Sequence, residues 1–434
     1  MRKSLIATLL ASAFLSLNAY SADLLQVYQD ALANDAVFAS ARAALTAGQE
    51  KSVQGRAGLL PTVGLGGNYT RTGLDTGANT LNTSGNGYSL SLSQPLFRLA
   101  NWESYQQGKL SVAISEAQFA QAQQDLIVRV SQAYFDVLAA DDALAFLNAQ
   151  KTAISEQLAS AKRNFEVGTS TITDSNEAQA RYDLAIAQEI VAQNDLEVRK
   201  TALELIIGTA PSALTPLRPG VKLIAPEPAR IEPWVTSAEQ QNFGVVGQQF
   251  AVEIAQREIS RNRAGHLPTL DLVASRSHNS QGTTALTSGG ATNTTQIGVQ
   301  WAIPIFSGFA VTSRVRETIA LENKARSDLE SARRSAAQGA RQSFLGVNSG
   351  LAQVRALEAA EISSQSSLES NRLGYEVGVR INIDVLNAQQ QLFSTRRDLA
   401  KARYDTIMNG LRLKSAAGTL KEEDLGPVNA LLMR

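Results

Sequence analysis

Apolar residues follow two alternating patterns along this chain, one with the spacing of a helix and one with the period of a strand. The helical pattern dominates two stretches, 101–164 and 310–373, each of about 64 residues and on the order of 95 Å long if helical. In the second stretch an alanine-rich seam between Leu329 and Val354 recurs about every 3.6 residues, as in helices packed on neighbours. We therefore expect closely approaching helix backbones with no bulky cofactor between them.

The strand pattern occurs four times, in two pairs. Apolar residues alternate with small or polar ones, and proline or aromatic residues mark the strand ends. The pattern predicts four strands of about ten residues, at 62–72, 87–97, 268–278 and 296–306. Segments 73–86 and 280–294, rich in Gly, Thr, Asn and Ser, are predicted to be exposed loops. Strands of this length cross an outer membrane when they are tilted.

One phrase occurs twice, which indicates an internal duplication. Residues 164–179 read NFEVGTSTITDSNEAQ, and residues 374–389 read GYEVGVRINIDVLNAQ. Each phrase separates a long helical stretch from a shorter one, so each predicts the turn of a helical hairpin. Gly168 and Gly378 supply the backbone freedom that a tight turn needs.

The duplication divides the chain into two repeats with a linker between them and a tail after them. Each repeat is expected to contain a strand pair, a long helix, a turn and a returning helix. The first repeat is predicted at 23–208, with a helical region at 23–56, a turn at 165–173 and a returning helix at 174–207. The second repeat is predicted at 236–420, with a helix at 236–265, a turn at 374–383 and a returning helix at 384–417. The linker between them, 209–235, carries six prolines, and the tail is 421–434.

The first 22 residues predict a secretory signal peptide. Arg2 and Lys3 precede an apolar run, Leu5 to Leu17, and a small-residue cleavage site follows near 19–22. Without the two basic residues, the 40 basic and 40 acidic side chains leave a net charge near −2. This balance gives no indication of a nucleic-acid partner.

The residue inventory argues against several kinds of chemistry. The chain has no cysteine, so it forms no disulfide or thiolate metal site, and it offers no residue for acylation after export. His266 and His278 flank a strand without an acid or nucleophile at motif spacing. We expect no cofactor, no metal and no enzyme activity.

Membrane entry, if it occurs, must use the strands, because no second apolar stretch is long enough for a helical span. Four strands cannot close a barrel, and each unsatisfied backbone group in lipid costs several kcal/mol. Three copies would supply twelve strands and twelve helical columns. The fold class expected is therefore mixed and mainly α with a membrane β-barrel: a trimeric 12-stranded barrel continuous with a 12-helix α-barrel about 100 Å long, each chain carrying two repeats. This arrangement is a conduit.

The sequence resembles the TolC family of outer-membrane channels over essentially the whole mature chain. Several motifs carry the resemblance: the Leu-Pro-Thr strand starts at 60–62 and 267–269, the Val-Gly turns, Ile172-Thr173-Asp174, Ile383-Asp384, and Gly-Thr-Leu at 418–420. It is nearer to the channels without a lipid anchor than to the lipidated ones. The resemblance implies a homotrimer whose barrel lies in outer-membrane lipid and whose helices lie in the periplasm.

The resemblance also implies partners and a role. Periplasmic adaptor proteins would dock at the turns around Gly168 and Gly378, and inner-membrane RND or ABC transporters would deliver the cargo. The implied function is the exit duct of tripartite multidrug efflux pumps and type I protein secretion systems.

In this family the inner helical hairpins close the periplasmic end. The resemblance implies a gate in which Arg380 bonds Thr173 and Asp174 of the neighbouring outer hairpin, while Tyr375 bonds the same aspartate. A guanidinium and a phenol from one turn would thus reach a carboxylate from the other.

The family's cation-sensitive constriction carries two aspartates three residues apart. Here the first is Asp384, but the second position is Asn387. The trimer would present one ring of three carboxylates instead of six, so we expect weaker cation binding. Glu177, at the equivalent place in the other turn, would compensate if it faces the pore.

The residues alone leave simpler interpretations open. Asp174 and Glu177 fit an ordinary capping box, Asp384 fits an N-cap, Arg380 fits a solvated surface charge, and Tyr375 fits packing of the turn. Aromatic residues near the strand ends fit either barrel packing or an interfacial girdle; they are Tyr69, Tyr88, Phe97, Trp102, Trp301 and Phe306.

Two other function classes fit less well. A structural or adaptor coiled-coil protein of the periplasm, without a pore, would explain the long helices but leaves four strands without a purpose. An exported enzyme lacks support, because the sequence has no nucleophile elbow, metal motif or phosphate loop.

Overall fold

A computed structural model describes residues 21–75, 77, 80–282 and 289–433. Residues 1–20, which make up most of the predicted signal peptide, lie outside the described residues. The described chain is mainly helical, with one sheet.

The helices and strands follow the order that the repeats predict. The helices are α1 (Leu24–Asn34), α2 (Ala36–Ala57), α3 (Leu99–Glu166), α4 (Ile172–Ile207), α5 (Ile231–Gln241), α6 (Phe243–Arg263), α7 (Ala310–Glu376), α8 (Asn382–Ala416) and α9 (Leu425–Asn429). The strands are β1 (Thr62–Asp75), β2 (Thr80–Phe97), β3 (Thr269–Gln281) and β4 (Gly290–Ala302). Short 3-10 turns at Ala264–His266 and Glu422–Asp424 complete the description.

The four strands form a single antiparallel sheet in the order β1-β2-β3-β4. Much of the sequence predicted as loop belongs to these strands, because β2 begins at Thr80 and β4 at Gly290. The many polar Thr, Asn and Ser residues in these segments predicted loops, but their backbone groups continue the hydrogen bonding between β1 and β2 and between β3 and β4. At the other end of β4 the prediction extends too far, since Pro304 cannot donate to a ladder.

Close approach of backbones accounts for the small residues along the long helices. A side chain at Gly350 on α7 would meet Thr406 Oγ1 on α8 at 2.4 Å, and one at Gly108 on α3 would meet the Lys51 carbonyl oxygen at 2.5 Å. Contacts below 3.0 Å do not occur with real side chains, so only glycine fits at these two crossings.

Two helical regions of the sequence are each divided by one residue. Asp35 separates α1 from α2 and accepts a hydrogen bond from the Phe38 backbone N–H at 2.9 Å. Burial alone would raise the pKa of Asp35, but its hydrogen bonds with Arg129 and with backbone N–H groups lower it overall. Asn242 separates α5 from α6. Helix α5 begins at Ile231, earlier than expected, because Pro233 lies in its first turn, where no intrahelical donor is needed.

The linker is ordered and pairs with two distant segments of the described chain. Ala22 pairs with Leu214, and Leu217 pairs with Leu432. Arg218 Nε also donates to the Leu432 carbonyl oxygen at 2.8 Å. The 209–235 segment therefore connects the residues before α1 with the 421–434 tail.

The chain forms two compact units, and they differ from the two repeats. Among the described residues, one unit contains 21–41, Ala120–Asn242 and 334–433, and the other contains Arg42–Phe119 and Phe243–Arg333. Each unit takes segments from both repeats. The sheet belongs to the second unit, and both hairpin turns belong to the first.

None of the helices in the described part of the chain has an apolar stretch long enough to cross a membrane.

A polar pair lies inside the first unit beside its aromatic core. Tyr404 Oη on α8 donates to Asp142 Oδ2 on α3 at 2.6 Å, and the Tyr404 ring lies 5.5 Å from that of Phe135. Burial raises the pKa of Asp142, the hydrogen bond from Tyr404 opposes this, and Asp141 adds to it. Burial beside the Asp142 carboxylate likewise raises the pKa of Tyr404.

This pair predicts a pH-dependent stability. Because the folded chain holds the Asp142 proton more tightly than the unfolded chain does, lowering the pH through the raised pKa favours the folded state. Asp142→Asn removes the buried charge, so the variant should melt about a few degrees above the wild type at pH 8 and lose that advantage as the pH falls. Circular dichroism melts in detergent at several pH values measure this. Asp405→Asn, at an exposed residue of α8 that has no part in the raised pKa of Asp142, is the control, and an equal loss of melting temperature at every pH in Asp142→Asn would contradict the prediction.

Candidate functional site

The first hairpin turn ends α3 with a Schellman motif. Gly168 has a left-handed backbone, with φ of 77°. Its N–H donates to the Phe165 carbonyl oxygen at 3.0 Å, and the Thr169 N–H donates to that of Asn164 at 2.8 Å. A side chain at Gly168 would strain this backbone, so the glycine fixes the turn.

The second turn repeats this geometry residue for residue. Gly378 has φ of 80°, its N–H donates to the Tyr375 carbonyl oxygen at 3.1 Å, and the Val379 N–H donates to that of Gly374 at 2.8 Å. The duplicated phrase therefore encodes the same backbone twice.

The returning helix starts two residues earlier than the predicted 174, and its N-cap lies three residues before Asp174. Helix α4 begins at Ile172, and Thr171 is its N-cap. Asp174 accepts from the Thr171 N–H at 3.2 Å, and its own N–H donates to Thr171 Oγ1 at 3.4 Å. The capping box is thus Thr171 with Asp174, and not Asp174 with Glu177.

The second returning helix has no such box. Its N-cap is Ile381, which has no side-chain oxygen to accept a hydrogen bond. Asp384 is the third residue of α8, not its N-cap, and its Oδ2 lies 3.6 Å from Arg380 Nη1. The Arg380 side chain is 59% exposed and that of Asp384 33%, so this pair contributes about 1 kcal/mol or less.

A polar groove of about 860 Å³ separates the two turns and the helix ends that carry them. We call it the tip groove. Its lining includes Asp174 from one turn and Tyr375 and Arg380 from the other. Three of the four gate residues suggested by the resemblance therefore line one space within a single chain. The fourth, Thr173, is exposed in the first turn of α4.

The contacts observed inside the chain differ from the pairs that the resemblance suggests. Tyr375 Oη accepts from Asn164 Nδ2 at 3.2 Å, and its ring packs on a cluster that includes Leu368 and Leu392. Arg380 pairs with Asp384 of its own turn. Asp174 uses its carboxylate for the capping box.

Asn382 is a site residue that the sequence reasoning missed. It is 1% exposed, donates from Nδ2 to the Asp174 carbonyl oxygen at 3.2 Å, and accepts from Gln157 Nε2 at 2.5 Å. It therefore ties the start of α8 to both helices of the other hairpin. The duplication holds a signal for it, since Asn382 occupies the position of Ile172 in the first repeat.

Arg181 lies beside Asn387, the second position of the expected constriction. Asn387 is exposed on α8 and accepts from Arg181 Nη2 at 3.0 Å, while Arg181 Nη1 donates to Gln390 Oε1 at 2.6 Å. Glu177, the proposed compensating carboxylate, is half-buried on α4. A guanidinium from α4 thus lies where the family pattern has a second negative charge.

The acidic and histidine side chains of the described ranges do not gather into a metal cluster. No group of three or more His, Cys, Asp or Glu side chains lies close enough there to hold a metal ion. His278 Nδ1 lies 2.7 Å from Asn293 Oδ1 and its ring stacks on Tyr88, so it serves as part of the sheet.

Known proteins match this architecture along nearly its full length. The chain is 34% identical to the outer membrane protein TolC of Escherichia coli K12, over 97% of this chain and 88% of that protein. It is also 34% identical to the proteases secretion protein PrtF of Dickeya chrysanthemi, over 98% of this chain and 94% of that protein. The crystal structure of the outer membrane protein VceC from Vibrio cholerae has the same fold, with a TM-score of 0.78 at 18% identity, covering 91% of this chain and 96% of VceC.

A family model described as outer membrane efflux protein matches residues 27–209 and 234–419. These two ranges overlap nearly all of the predicted repeats, 23–208 and 236–420, and leave out most of the linker. The family match gives no support to the two alternative functions, a coiled-coil protein without a pore and an exported enzyme. The chain belongs to the outer membrane efflux protein family.

Proposed function

We propose that three copies of this chain form an outer-membrane duct that is the common exit of multidrug efflux pumps and type I secretion systems. The observation that carries this proposal is that the described chain contains one sheet of four strands and two very long helical hairpins. In lipid such a sheet needs partners at both edges. Three copies supply a closed 12-stranded β-barrel, with a 12-helix α-barrel below it in the periplasm.

The outer surface of the sheet supports a position in lipid. Trp301 lies next to the end of β4 and is 69% exposed, and Phe306 follows four residues after that strand ends and is 73% exposed. Aromatic rings at such places prefer the boundary between lipid headgroups and hydrocarbon, so these two belong to the girdle in this proposal. Tyr69 and Tyr88 lie near the middle of β1 and β2 and are 72% and 59% exposed, which fits contact with the hydrocarbon instead.

The two turns support docking of periplasmic adaptor proteins, which connect the duct to inner-membrane RND or ABC transporters. Beside Gly168 and Gly378, the apolar residues Val167, Val377 and Val379 are 73%, 64% and 76% exposed. Apolar side chains displayed on rigid turns are suited to burial against a partner. In type I secretion the cargo is a protein, as the name of PrtF indicates for that relative.

The tip groove is the gate in this proposal. The contacts across it are single polar hydrogen bonds, such as Asn164 with Tyr375 and Asn382 with Gln157, and each contributes about 1 kcal/mol. Thr173, Asp174, Tyr375 and Arg380 hold neighbouring hairpins together in the closed trimer. Arg380 exchanges its partner Asp384 for the Thr173-Asp174 pair of the adjacent hairpin. Because the contacts repeat three times in the trimer, their summed free energy is large enough to favour the closed state of a two-state gate.

Conductance across a planar lipid bilayer tests the duct and the gate together. The purified wild type should insert and give small, long-lived channels, because the gate rests closed. Tyr375→Phe combined with Arg380→Glu removes the hydroxyl and reverses the charge at the groove, so the conductance should rise about several-fold.

Arg163→Glu is the matched control for this experiment, because it makes the same charge change on the other turn, and it should leave the conductance small. If the wild type gives no channels, the duct itself is refuted. If the double variant keeps the wild-type conductance, the gate residues are assigned wrongly.

Asn382 supplies a separate prediction. Asn382→Ile introduces the residue of the first repeat and removes hydrogen bonds to Gln157 and Asp174. If the closed state loses about 1 kcal/mol of stabilisation relative to the open state, the open fraction should rise about fivefold in the same bilayer assay.

Gln157→Ala breaks one of the same contacts, so its effect should not add to that of Asn382→Ile. Additive effects would mean that the two residues act separately, and an unchanged open fraction would remove Asn382 from the gate.

The constriction in this proposal carries three Asp384 carboxylates, with Asn387 and Arg181 beside them. One ring of charge with adjacent guanidinium groups should bind a trivalent cation weakly. Asn387→Asp restores the second ring and should lower the concentration of a trivalent cation, such as hexaamminecobalt, that blocks the channel by about tenfold.

Asp384→Ala should abolish most of the block, and Arg181→Ala should strengthen it. The variants are compared by titrating the cation against single-channel current. Block that persists in Asp384→Ala would mean that the cation binds elsewhere.

A further inference from the structure

The two faces of the sheet differ in polarity. Leu65, Leu90 and Arg276 lie in one row across the strands, and residues two positions apart on a strand share a face. The same face carries much of the apolar surface of the sheet: Val63, Leu92, Leu272, Ile297, Val299 and Trp301. The opposite face carries Ser89, Ser91, Ser275, Ser277, Thr294 and Gln296. A membrane barrel turns its apolar face to lipid, so we call the first one the outer face.

On β3 the outer face is apolar in its first half and basic after it. The strand reads TLDLVASRSHNSQ, and every second residue from Leu270 to Ala274 is apolar. Arg276 and His278 follow at the same spacing. Two basic side chains therefore stand next to each other at the edge of an apolar surface.

The acidic residues of the described sheet do not neutralise Arg276. Asp271 lies on the opposite face, where Arg98 donates to its two carboxylate oxygens at 2.8 and 2.6 Å. Asp75 lies at the far end of β1 and accepts from the Gly77 N–H at 2.9 Å. Arg276 is exposed and has no ion pair within the described part of the chain. Its guanidinium is thus available to an anion from outside the chain.

The imidazole beside Arg276 is held by both neighbouring strands. His278 Nδ1 lies 2.7 Å from Asn293 Oδ1 on β4. On the other side its ring stacks on Tyr88 of β2, with ring centroids 5.0 Å apart and planes at 22°. A fixed ring and a long, flexible guanidinium therefore share one place on the outer face.

The depth of this place fits the lipid headgroups. Leu270 lies opposite Trp301, the girdle residue at the helix side of the sheet. At about 3.4 Å per residue and a tilt of about 40°, His278 stands about 20 Å farther from the helices, within an apolar band about 25 Å tall. The Arg276 side chain, two residues lower, extends along the apolar surface to the same boundary, as long basic side chains do. In the proposed duct the helices are periplasmic, so this boundary belongs to the outer leaflet.

The duplication shows that the basic pair belongs to one repeat. When the Leu-Pro-Thr motifs are aligned, His278 corresponds to Arg71 and Arg276 to Tyr69. Both repeats carry a basic residue at the headgroup boundary, but the second repeat adds a guanidinium beside it. Arg71 is therefore a natural comparison with a single basic group.

We propose that Arg276 and His278 bind a phosphate group of a glycolipid in the outer leaflet. Its acyl chains lie on the apolar surface below, formed by Leu272, Ile297 and Val299. A guanidinium binds phosphate oxygens through two parallel hydrogen bonds, which gives such a site both charge and geometry. The inference rests on the proposed barrel and adds a lipid site to its outer face.

Native mass spectrometry of the full chain in detergent tests the site. The probe is lipid A with two phosphates, titrated against the wild type and the Arg276→Gln variant. Loss of the guanidinium should weaken binding at least about fivefold. Arg276→Lys keeps the charge without the planar fork, so its affinity should fall between the two. His278→Gln should also weaken binding, and unchanged affinity there would overturn the assignment of His278.

Arg71→Gln is the matched control, because it makes the same charge change at the corresponding depth on β1. It should change the affinity less than about twofold. An equal loss in Arg71→Gln and Arg276→Gln would mean that lipid A follows the overall charge of the barrel, and it would overturn the site. Inorganic phosphate in excess should displace little lipid A. Full displacement would mean that the site takes free phosphate, which overturns a lipid site.

Conductance across a planar bilayer separates the site from the duct. Arg276→Gln should keep the wild-type conductance, which shows that the variant is folded. If it gives no channels, the comparison passes to Arg276→Lys, which must then bind lipid A more weakly than the wild type does. A wild type that conducts but binds lipid A no better than a phosphate-free glycolipid overturns the site alone. A wild type without channels refutes the proposed duct.

Discussion

A sheet that ends in two unpaired edges is the constraint on which the rest of this molecule depends. In water an exposed edge is hydrated, but in hydrocarbon each unpaired backbone group costs several kcal/mol. Four strands curve too little to bring β4 back to β1 of the same chain. Under the proposed function, closure between copies follows, and both long helices continue the chain after a strand; α7 starts at Ala310, eight residues after β4 ends at Ala302. Helix α3 starts at Leu99, two residues after β2 ends at Phe97.

The hairpin turns combine strong local structure with weak contacts between them. Within each turn, a left-handed glycine and two backbone hydrogen bonds fix the chain. Across the tip groove, the structure relies on a few polar contacts, of which those of Asn382 are the most buried. Rigid turns joined by weak contacts can separate as bodies without unfolding. A gate needs this division, because opening must cost little while the turns keep their shape for a docking partner.

Sequence reasoning worked well where a backbone feature has a one-residue signature. Gly168 and Gly378 placed both turns, and the helical period placed both long helices to within a few residues. It failed where a strand carries polar side chains: the composition of the residues after Thr80 predicted a loop, although their backbone belongs to β2. It also failed at Asn382, since a polar residue beside a turn is normally solvated. Burial by another hairpin, 225 positions away for Gln157, is a tertiary fact that local patterns do not contain.

The duplication explains why such a residue appears in one repeat alone. Both repeats must build the same turn, so the glycines and their hydrogen bonds are shared. The partners across the groove differ: Ile172 corresponds to Asn382, Phe165 to Tyr375, and Ser170 to Arg380. In each pair the second repeat carries the group with greater hydrogen-bonding capacity. Other positions change in the opposite direction, since Thr169 corresponds to Val379 and Thr171 to Ile381. The two turns therefore share a backbone but carry their hydrogen-bonding groups at different positions. Under the proposed function, this divergence of the repeats gives neighbouring hairpins the complementary groups that a gate requires.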